Sequence, residues 1–277
     1  MIDLTKGIYW DESWSPATGC SKTGWGAGCM NCWAGGMART RLRLHADFCD
    51  VFSDTTTTGW NGIVQCHEHR LKLTNGKPKV IALNWMGELF NPAVPDVFIE
   101  RVFSVMLMRR QHTFLLLTKI PQRMSQLMRA MNLSRDSISH IWFGASASTQ
   151  VEFDDNVGIL CGIYGVNRWV SLEPLLEEVD VFSDRNPVSL CRQVREGEYI
   201  KWIAMGAESG PGARPMKLAW AEDVIGDCAA VGIKCFYKQG PDHCGSKFTK
   251  VPRLYGSQRI ELPFETRVLS RRVRNQK

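Results

Sequence analysis

Between residues 79 and 239 the chain alternates short apolar runs with longer amphipathic stretches, and this alternation limits the fold more than any other feature. The runs "KVIALNW", "HTFLLLT", "HIWFGAS", "NRWVSLEP", "IKWIAMGAE" and "IKCFYKQ" read as six buried strands. Between them, "PDVFIERVFSVMLMRR", "PQRMSQLMRAMN", "TQVEFDDNVGILCGIYG" and "KLAWAEDVIGDCAAVG" carry helical periodicity, the first opened by Pro95 and Asp96. Near-continuous apolar strands separated by helices imply a parallel sheet covered by helices, and hence an α/β fold. "KGIYWDE" ahead of this series is a candidate seventh strand. No G-x-G-x-x-G follows the first strand, so a complete or partial βα barrel is expected over an open doubly wound sheet.

The strands of the series end in polar residues on their C-terminal side: Asn84 and Glu88, Thr118 and Lys119, Ser146 and Ser148, Glu173, Glu208 and Ser209, Lys238 and Gln239. In βα barrels that end assembles the chemistry, so these residues are expected to ring one pocket. The 277 residues, 44% hydrophobic, suffice for one large core, and we expect a single domain over 1–277. Residues 46–79 and 181–199 read as insertions or loops, and 240–277 as a C-terminal extension with a basic tail. No run approaches about 18 apolar residues and the first residues lack an apolar signal core, so no membrane segment and a cytoplasmic location are expected. Ten cysteines are too sparse for a disulfide scaffold. The net charge of +6 permits a nucleic-acid partner, although no binding module or dense basic stripe is evident.

Three of the cysteines fall in "TGCSKTGWGAGCMNCWAG", where Cys20, Cys29 and Cys32 are spaced C-x8-C-x2-C in a glycine-rich loop. A structural zinc takes four protein ligands, and the fourth would have to come from Cys49, Cys66, His67 or His69. Three thiolates alone suit a [4Fe–4S] cluster whose fourth iron stays open to a substrate or cofactor. Gly24, Gly26 and Gly28 let the backbone wrap such a cluster. A cluster loop after the first strand of a βα barrel, ahead of a helix starting near Asn31, is the arrangement of radical S-adenosylmethionine (SAM) enzymes. Those enzymes use C-x3-C-x2-C, from which the first gap here departs.

The ordered blocks "WDESWSPATGCSKTGWGAGCMNCWA", "ALNWMGELFNPAVPDVFIERVFSVM", "HTFLLLTKIPQRM", "WFGASASTQ", "VSLEPLLEEV", "WIAMGAESGPGARPM", "FYKQG" and "LYGSQRIELP" run nearly end to end. Through them the chain resembles the phage and prophage three-cysteine-motif proteins. The layout of "GELFNPAVP" and "LLLTKIPQRM" is also similar to that of spore photoproduct lyases, radical SAM enzymes that act on DNA thymine lesions. Trp33 stands where the three-cysteine family usually has tyrosine, and "GAESG" where it usually has "GGESG".

What the resemblance implies is a [4Fe–4S] cluster on Cys20, Cys29 and Cys32, with SAM as second cofactor. Asn84, Trp85 and Glu88 would hold the SAM amino end, and Lys119 and Glu173 its carboxylate and ribose hydroxyls. Ser146 and Ser209 would line the same pocket. Arg214 is suited to gripping a carboxylate or phosphate bidentately. Lys238, Gln239 and Glu208 are the catalytic candidates, with Lys238 alternatively paired to Glu208. Trp10, Trp14, Trp25 and Trp33 would shield the cluster. The expected function is cleavage of SAM to a 5′-deoxyadenosyl radical that modifies a nucleic-acid base or nucleotide, in the host cytoplasm if the chain is phage-encoded. DNA, RNA or a nucleotide is thus the expected partner. Two other readings remain at this point: a zinc-stabilised non-catalytic module that binds nucleic acid or counters a host, and an iron–sulfur enzyme that does not use SAM.

Overall fold

A computed structural model of the chain describes residues 2–73, 76–182, 199–242, 248–254 and 257–264. The six predicted strands form: β4 (Val80–Leu83), β5 (Thr113–Thr118), β6 (Ile141–Ser146), β7 (Asn167–Leu172), β8 (Ile200–Gly206) and β9 (Lys234–Pro241). They lie side by side in chain order, each parallel to the next. At one edge β1 (Glu12–Trp14) pairs with β4 in parallel, and at the other β10 (Phe248–Lys250) pairs with β9 antiparallel. The result is an eight-stranded, mostly parallel sheet.

The seventh strand is displaced from its expected place. "KGIYWDE" contributes only Glu12, because Tyr9 leaves the sheet and buries its ring beneath it. Two short strands follow β1 elsewhere: β2 (Ala17–Thr18) pairs with β3 (Gln65–Cys66), which draws part of the 46–79 segment into ordered structure. Of the 181–199 segment, residues 183–198 lie outside the described residues, as does the basic tail from 265. Part of the expected C-terminal extension instead supplies β10 and packs Leu262 and Phe264 against the sheet.

Side chains alternate across the sheet with the period of two that a strand imposes. Ile81, Phe114, Leu116, Phe143, Val170, Ile203 and Cys235 face one side. There they meet α2 (Asp96–Leu107), α3 (Pro121–Met131), α4 (Gln150–Cys161) and α5 (Leu218–Val231). The helix boundaries follow local chemistry. Pro121 occupies the first turn of α3, the Thr149 hydroxyl accepts from Glu152 N–H at the start of α4, and Gly232 ends α5 in the left-handed region at φ 74°. Buried Arg168 binds the carbonyls of Leu160 and Ile163 where α4 ends. Among the described residues no helix is long and apolar enough to cross a membrane.

The opposite face of the sheet is aromatic. Trp169 stacks on Trp202 at 5.0 Å between centroids, and Tyr9 packs edge-on against Trp10, Trp85, Trp202 and Phe236. Indole N–H groups in this layer find backbone acceptors, Trp169 on Leu116 O and Trp202 on Glu261 O, both at 3.0 Å. Gly144 makes room for it: a Cβ there would lie 2.4 Å from Trp169 Nε1. Gly144→Ala is therefore expected to destabilise the protein by about 1–3 kcal/mol, read as a lowered urea midpoint. An unchanged midpoint would show that the Trp169 ring has room to yield.

Candidate functional site

A cavity of about 350 Å³ opens where the C-terminal ends of the strands meet the cysteine loop. That size lies within the range of small-molecule and cofactor pockets, roughly 300–1,000 Å³. Cys20, Cys29 and Cys32 line it on one side. Facing them are the strand-end residues predicted from sequence: Asn84, Trp85 and Glu88 after β4, Lys119 after β5, and Ser146 closing β6. Glu173 after β7, Glu208 and Ser209 after β8, and Lys238 and Gln239 within β9 complete the ring. Arg214 is not among the lining residues.

The cysteine loop spans the gap between β2 and α1 (Trp33–Arg39), with a 3-10 turn at Ala27–Cys29. Gly24 sits at φ 78°, and a Cβ on it would lie 2.3 Å from that of Cys29. A Cβ on Gly28 would lie 2.4 Å from Ser148 Oγ, so the loop presses directly onto the segment before α4. Two polar side chains hold it there. Glu152, in the first turn of α4, accepts from Ala27 N–H at 2.5 Å and from Ser148 N–H at 2.8 Å. Asn31 donates from Nδ2 to Glu208 Oε2 and to Gly212 O, both at 3.0 Å.

The three thiols are free of disulfides. Cys29 Sγ accepts from Trp25 N–H at 3.3 Å, and Cys32 is the residue from which α1 starts. Burial pushes the Cys20 and Cys29 thiols up; Glu88 adds to this at Cys20, whereas the Lys119 ammonium offsets it at Cys29. Among the described residues, the triplet of metal-ligating groups with donor atoms all within 4.8 Å of one another is Asp47, His67 and His69. The cysteine sulfurs are spread wider than that. Zinc–sulfur bonds of about 2.3 Å at a tetrahedral angle would bring them to about 3.8 Å. His67 and His69, considered from sequence as a fourth zinc ligand, turn to Asp47 and do not line the cavity.

Glu88 is buried and not an exposed carboxylate at a helix start. It accepts from Phe90 N–H at 3.0 Å, Thr118 Oγ1 at 2.7 Å and Lys119 N–H at 3.0 Å, which ties the ends of β4 and β5. Burial raises its carboxyl above the ordinary value, and these donors only partly offset the rise. Lys119 Nζ donates to Ser146 Oγ at 2.7 Å and so joins β5 to β6. Asn84 holds a left-handed backbone at φ 58°, with Oδ1 accepting from Ala17 N–H at 2.9 Å. Its Nδ2 and the Trp85 Nε1 are buried donors with no partner among the described residues. Buried N–H groups of this kind call for an acceptor, and a ligand in the cavity is the source at hand.

Three expectations are corrected. Lys238 pairs with Glu173, at 3.2 Å, and not with Glu208; its ammonium also lies within 6 Å of the Tyr9 and Trp10 rings. Glu208 is held by Arg214, which donates from its backbone N–H at 2.8 Å, from Nε at 2.9 Å and from Nη2 at 2.5 Å. The guanidinium fork predicted to grip a ligand is therefore spent on a protein carboxylate. The Gln239 amide is likewise engaged at both ends, donating to Ala207 O at 2.8 Å and accepting from Lys250 Nζ. Of the four tryptophans, Trp14 is buried on the helix side and bonds Arg70 O at 2.7 Å. Trp10 lines the cavity, and Trp25 and Trp33 stand exposed at its rim.

Several site residues were not foreseen. Tyr9 donates to Glu173 Oε2 at 3.0 Å, and Ser171 Oγ donates to the same oxygen at 3.1 Å. Lys250 enters from β10 and adds a third ammonium beside Lys119 and Lys238. Glu152 had a visible signal, Thr149-x-x-Glu152 before an amphipathic run, which reads as a helix cap and conceals the tether.

Burial pushes the Glu208 carboxyl up, but Arg214 and Asn31 outweigh it and hold the group below its ordinary value. Its folded value lies under its unfolded one, so its contribution to stability is present above about pH 4.3 and lost as pH falls through the folded value. Arg214→Ala is expected to flatten that acid limb and to cost about 1–2 kcal/mol at neutral pH, measured by urea unfolding across pH. An acid limb identical to wild type would contradict the assigned ion pair.

No curated protein and no solved structure matches the chain. Over residues 5–267 it matches the family model described as "protein of unknown function (DUF5131)", and it belongs to that family.

Proposed function

We propose that this chain is an iron–sulfur enzyme of the radical SAM type, of phage origin, that modifies a nucleic-acid base or nucleotide. The observation that carries the reading is convergence: three thiols distant in sequence from the strand ends share one cavity with the polar groups of six strands. We read the mostly parallel sheet as a partial βα barrel, with the cysteine loop reached from its first strand β1 by way of β2.

The residues that would hold the two cofactors line the same cavity. Cys20, Cys29 and Cys32 would hold a [4Fe–4S] cluster and leave its fourth iron toward the cavity. Asn84 Nδ2 and Trp85 Nε1, the unpartnered donors, would receive acceptor atoms of SAM. When bound, the pair supplies a one-electron reductant and a 5′-deoxyadenosyl radical source. The chain's own part is positioning and shielding. Glu152 and Asn31 fix the cysteine loop against the strand ends. Tyr9, Trp10 and Trp85 close the cavity floor against water. The Glu173–Lys238 pair places a proton donor and an acceptor side by side on the far wall. Lys119, Lys238 and Lys250 would donate to a phosphate-bearing substrate, and Trp25 and Trp33 offer stacking surfaces at the rim.

The test is metal and sulfide content after anaerobic purification. Wild type is expected to carry about four irons and as many acid-labile sulfides per chain. Cys20→Ser, Cys29→Ser and Cys32→Ser are each expected to lose the brown absorbance. Stoichiometric zinc with no iron would overturn the reading in favour of a non-catalytic module.

A further inference from the structure

The segment 46–79 folds back behind the cysteine loop. Its β3 strand pairs with β2, and Phe48, Val51 and Trp60 form a small core with Ala34 and Ala38 of α1. Beside this core Asp47, His67 and His69 converge. His67 Nδ1 stands 3.4 Å from Asp47 Oδ1, and His69 Nε2 stands 3.4 Å from Asp47 Oδ2. Asp47 and His67 are buried, whereas the His69 side chain is 65% exposed.

Hydrogen-bond partners set the tautomer of a neutral His67. The Thr18 hydroxyl has one proton, and it lies 2.7 Å from Asp47 O, which can only accept. Thr18 Oγ1 must then accept from His67 Nε2, 2.8 Å away, so Nε2 carries the imidazole proton. In the neutral ring Nδ1 is left as a lone pair aimed at a carboxylate oxygen. Two acceptors face each other, as two ligands of one cation do. Ligands at about 2.0–2.2 Å from a tetrahedral ion stand about 3.4 Å apart, the separation of His67 Nδ1 from Asp47 Oδ1, and one donor atom from each of the three residues lies within 4.8 Å of the others.

We propose that Asp47, His67 and His69 bind one divalent transition-metal ion of the zinc class, with water completing the shell. Arg70 engages Asp47 Oδ2 through Nε at 2.7 Å and through Nη2, which leaves Oδ1 for the ion. The Thr18 contact orients the His67 ring from behind, as partners of metal-binding histidines do. His45 Nδ1 lies 3.9 Å from Asp47 Oδ2 but accepts from Asp47 N–H, so it is not a ligand. Two nitrogens and one carboxylate favour zinc, cobalt or nickel over calcium or magnesium, which need several oxygens. The ion would clasp the two ends of the insertion to each other beside β2, two residues ahead of Cys20. The site stands apart from the cysteines and does not depend on what they hold.

The experiment is a Co²⁺ titration of the full chain after removal of loosely bound metal. The expected result is one equivalent with d–d bands of a nitrogen- and oxygen-ligated ion. Thiolate-to-cobalt charge transfer would mark the cysteines instead. His69→Gln, an exposed side chain whose loss opens no cavity, is expected to weaken that binding at least tenfold. Thiolate bands alone, no binding, or undiminished binding in His69→Gln would overturn the proposal and leave Asp47 and His67 as an ion pair. The unmodified chain gives a second reading that does not hang on the variant's folding. Zn²⁺ is expected to shift the imidazole NMR resonances of His67 and His69 and to leave those of His112 and His140 in place. Unmoved His67 and His69 resonances would also overturn it.

Discussion

Three carboxylates that lie buried or nearly so, Glu88, Glu173 and Glu208, each need donors, and where they find them shapes the mouth of the sheet. A carboxylate removed from water is tolerated only when hydrogen bonds and counter-charges replace its hydration. Glu88 takes its donors from the turn after β4 and the end of β5, Glu173 from Tyr9, Ser171 and Lys238, and Glu208 from Arg214 and Asn31. The Glu173 and Glu208 sets join elements that the backbone ladder does not pair, and the Glu88 set extends the β4–β5 pairing beyond its last ladder bond. The third also reaches the cysteine loop, so the arrangement of thiols opposite strand ends rests on that contact and on Glu152.

The floor of the cavity follows from a different constraint. A parallel sheet must cover both faces, and the helices serve only one. Here the other face is filled with aromatic rings from alternate strand positions and from Tyr9 and Trp10, which lie ahead of β1. Tyr9 therefore has two parts: its ring seals the inner face, and its hydroxyl reaches the Glu173 carboxylate. The same packing explains why "KGIYWDE" is not a strand over its length, since an extended Tyr9 would leave a gap under Trp202 and Phe236.

Most of the fold was legible because its signals are local. Each strand from β4 to β9 is an apolar run bounded by polar residues, and each helix carries its own stripe and stop. The ring of strand-end residues was legible for the same reason, as strand direction places every C-terminus on one side. What could not be read was pairing. Nothing in the sequence says that Lys238 meets Glu173 and not Glu208, because that depends on the spacing of β7, β8 and β9 in space. The Glu208–Arg214 pair was nearer to legible: six residues separate them, and Gly210 and Gly212, at φ 103° and 75°, curl the loop back on itself. The Asp47, His67 and His69 group was hidden because residues 48–66, mostly irregular chain, lie between Asp47 and the two histidines.

In the proposed enzyme three thiolates leave one corner of a cluster open toward the donors of Asn84 and Trp85. The most direct test is the EPR spectrum of the anaerobic, dithionite-reduced protein before and after adding SAM carrying ¹⁵N in its amino group. The expected result is a reduced cluster signal that changes on addition, with hyperfine coupling to that nitrogen. A cluster signal indifferent to SAM would contradict it and move the assignment to an iron–sulfur enzyme that binds its substrate directly.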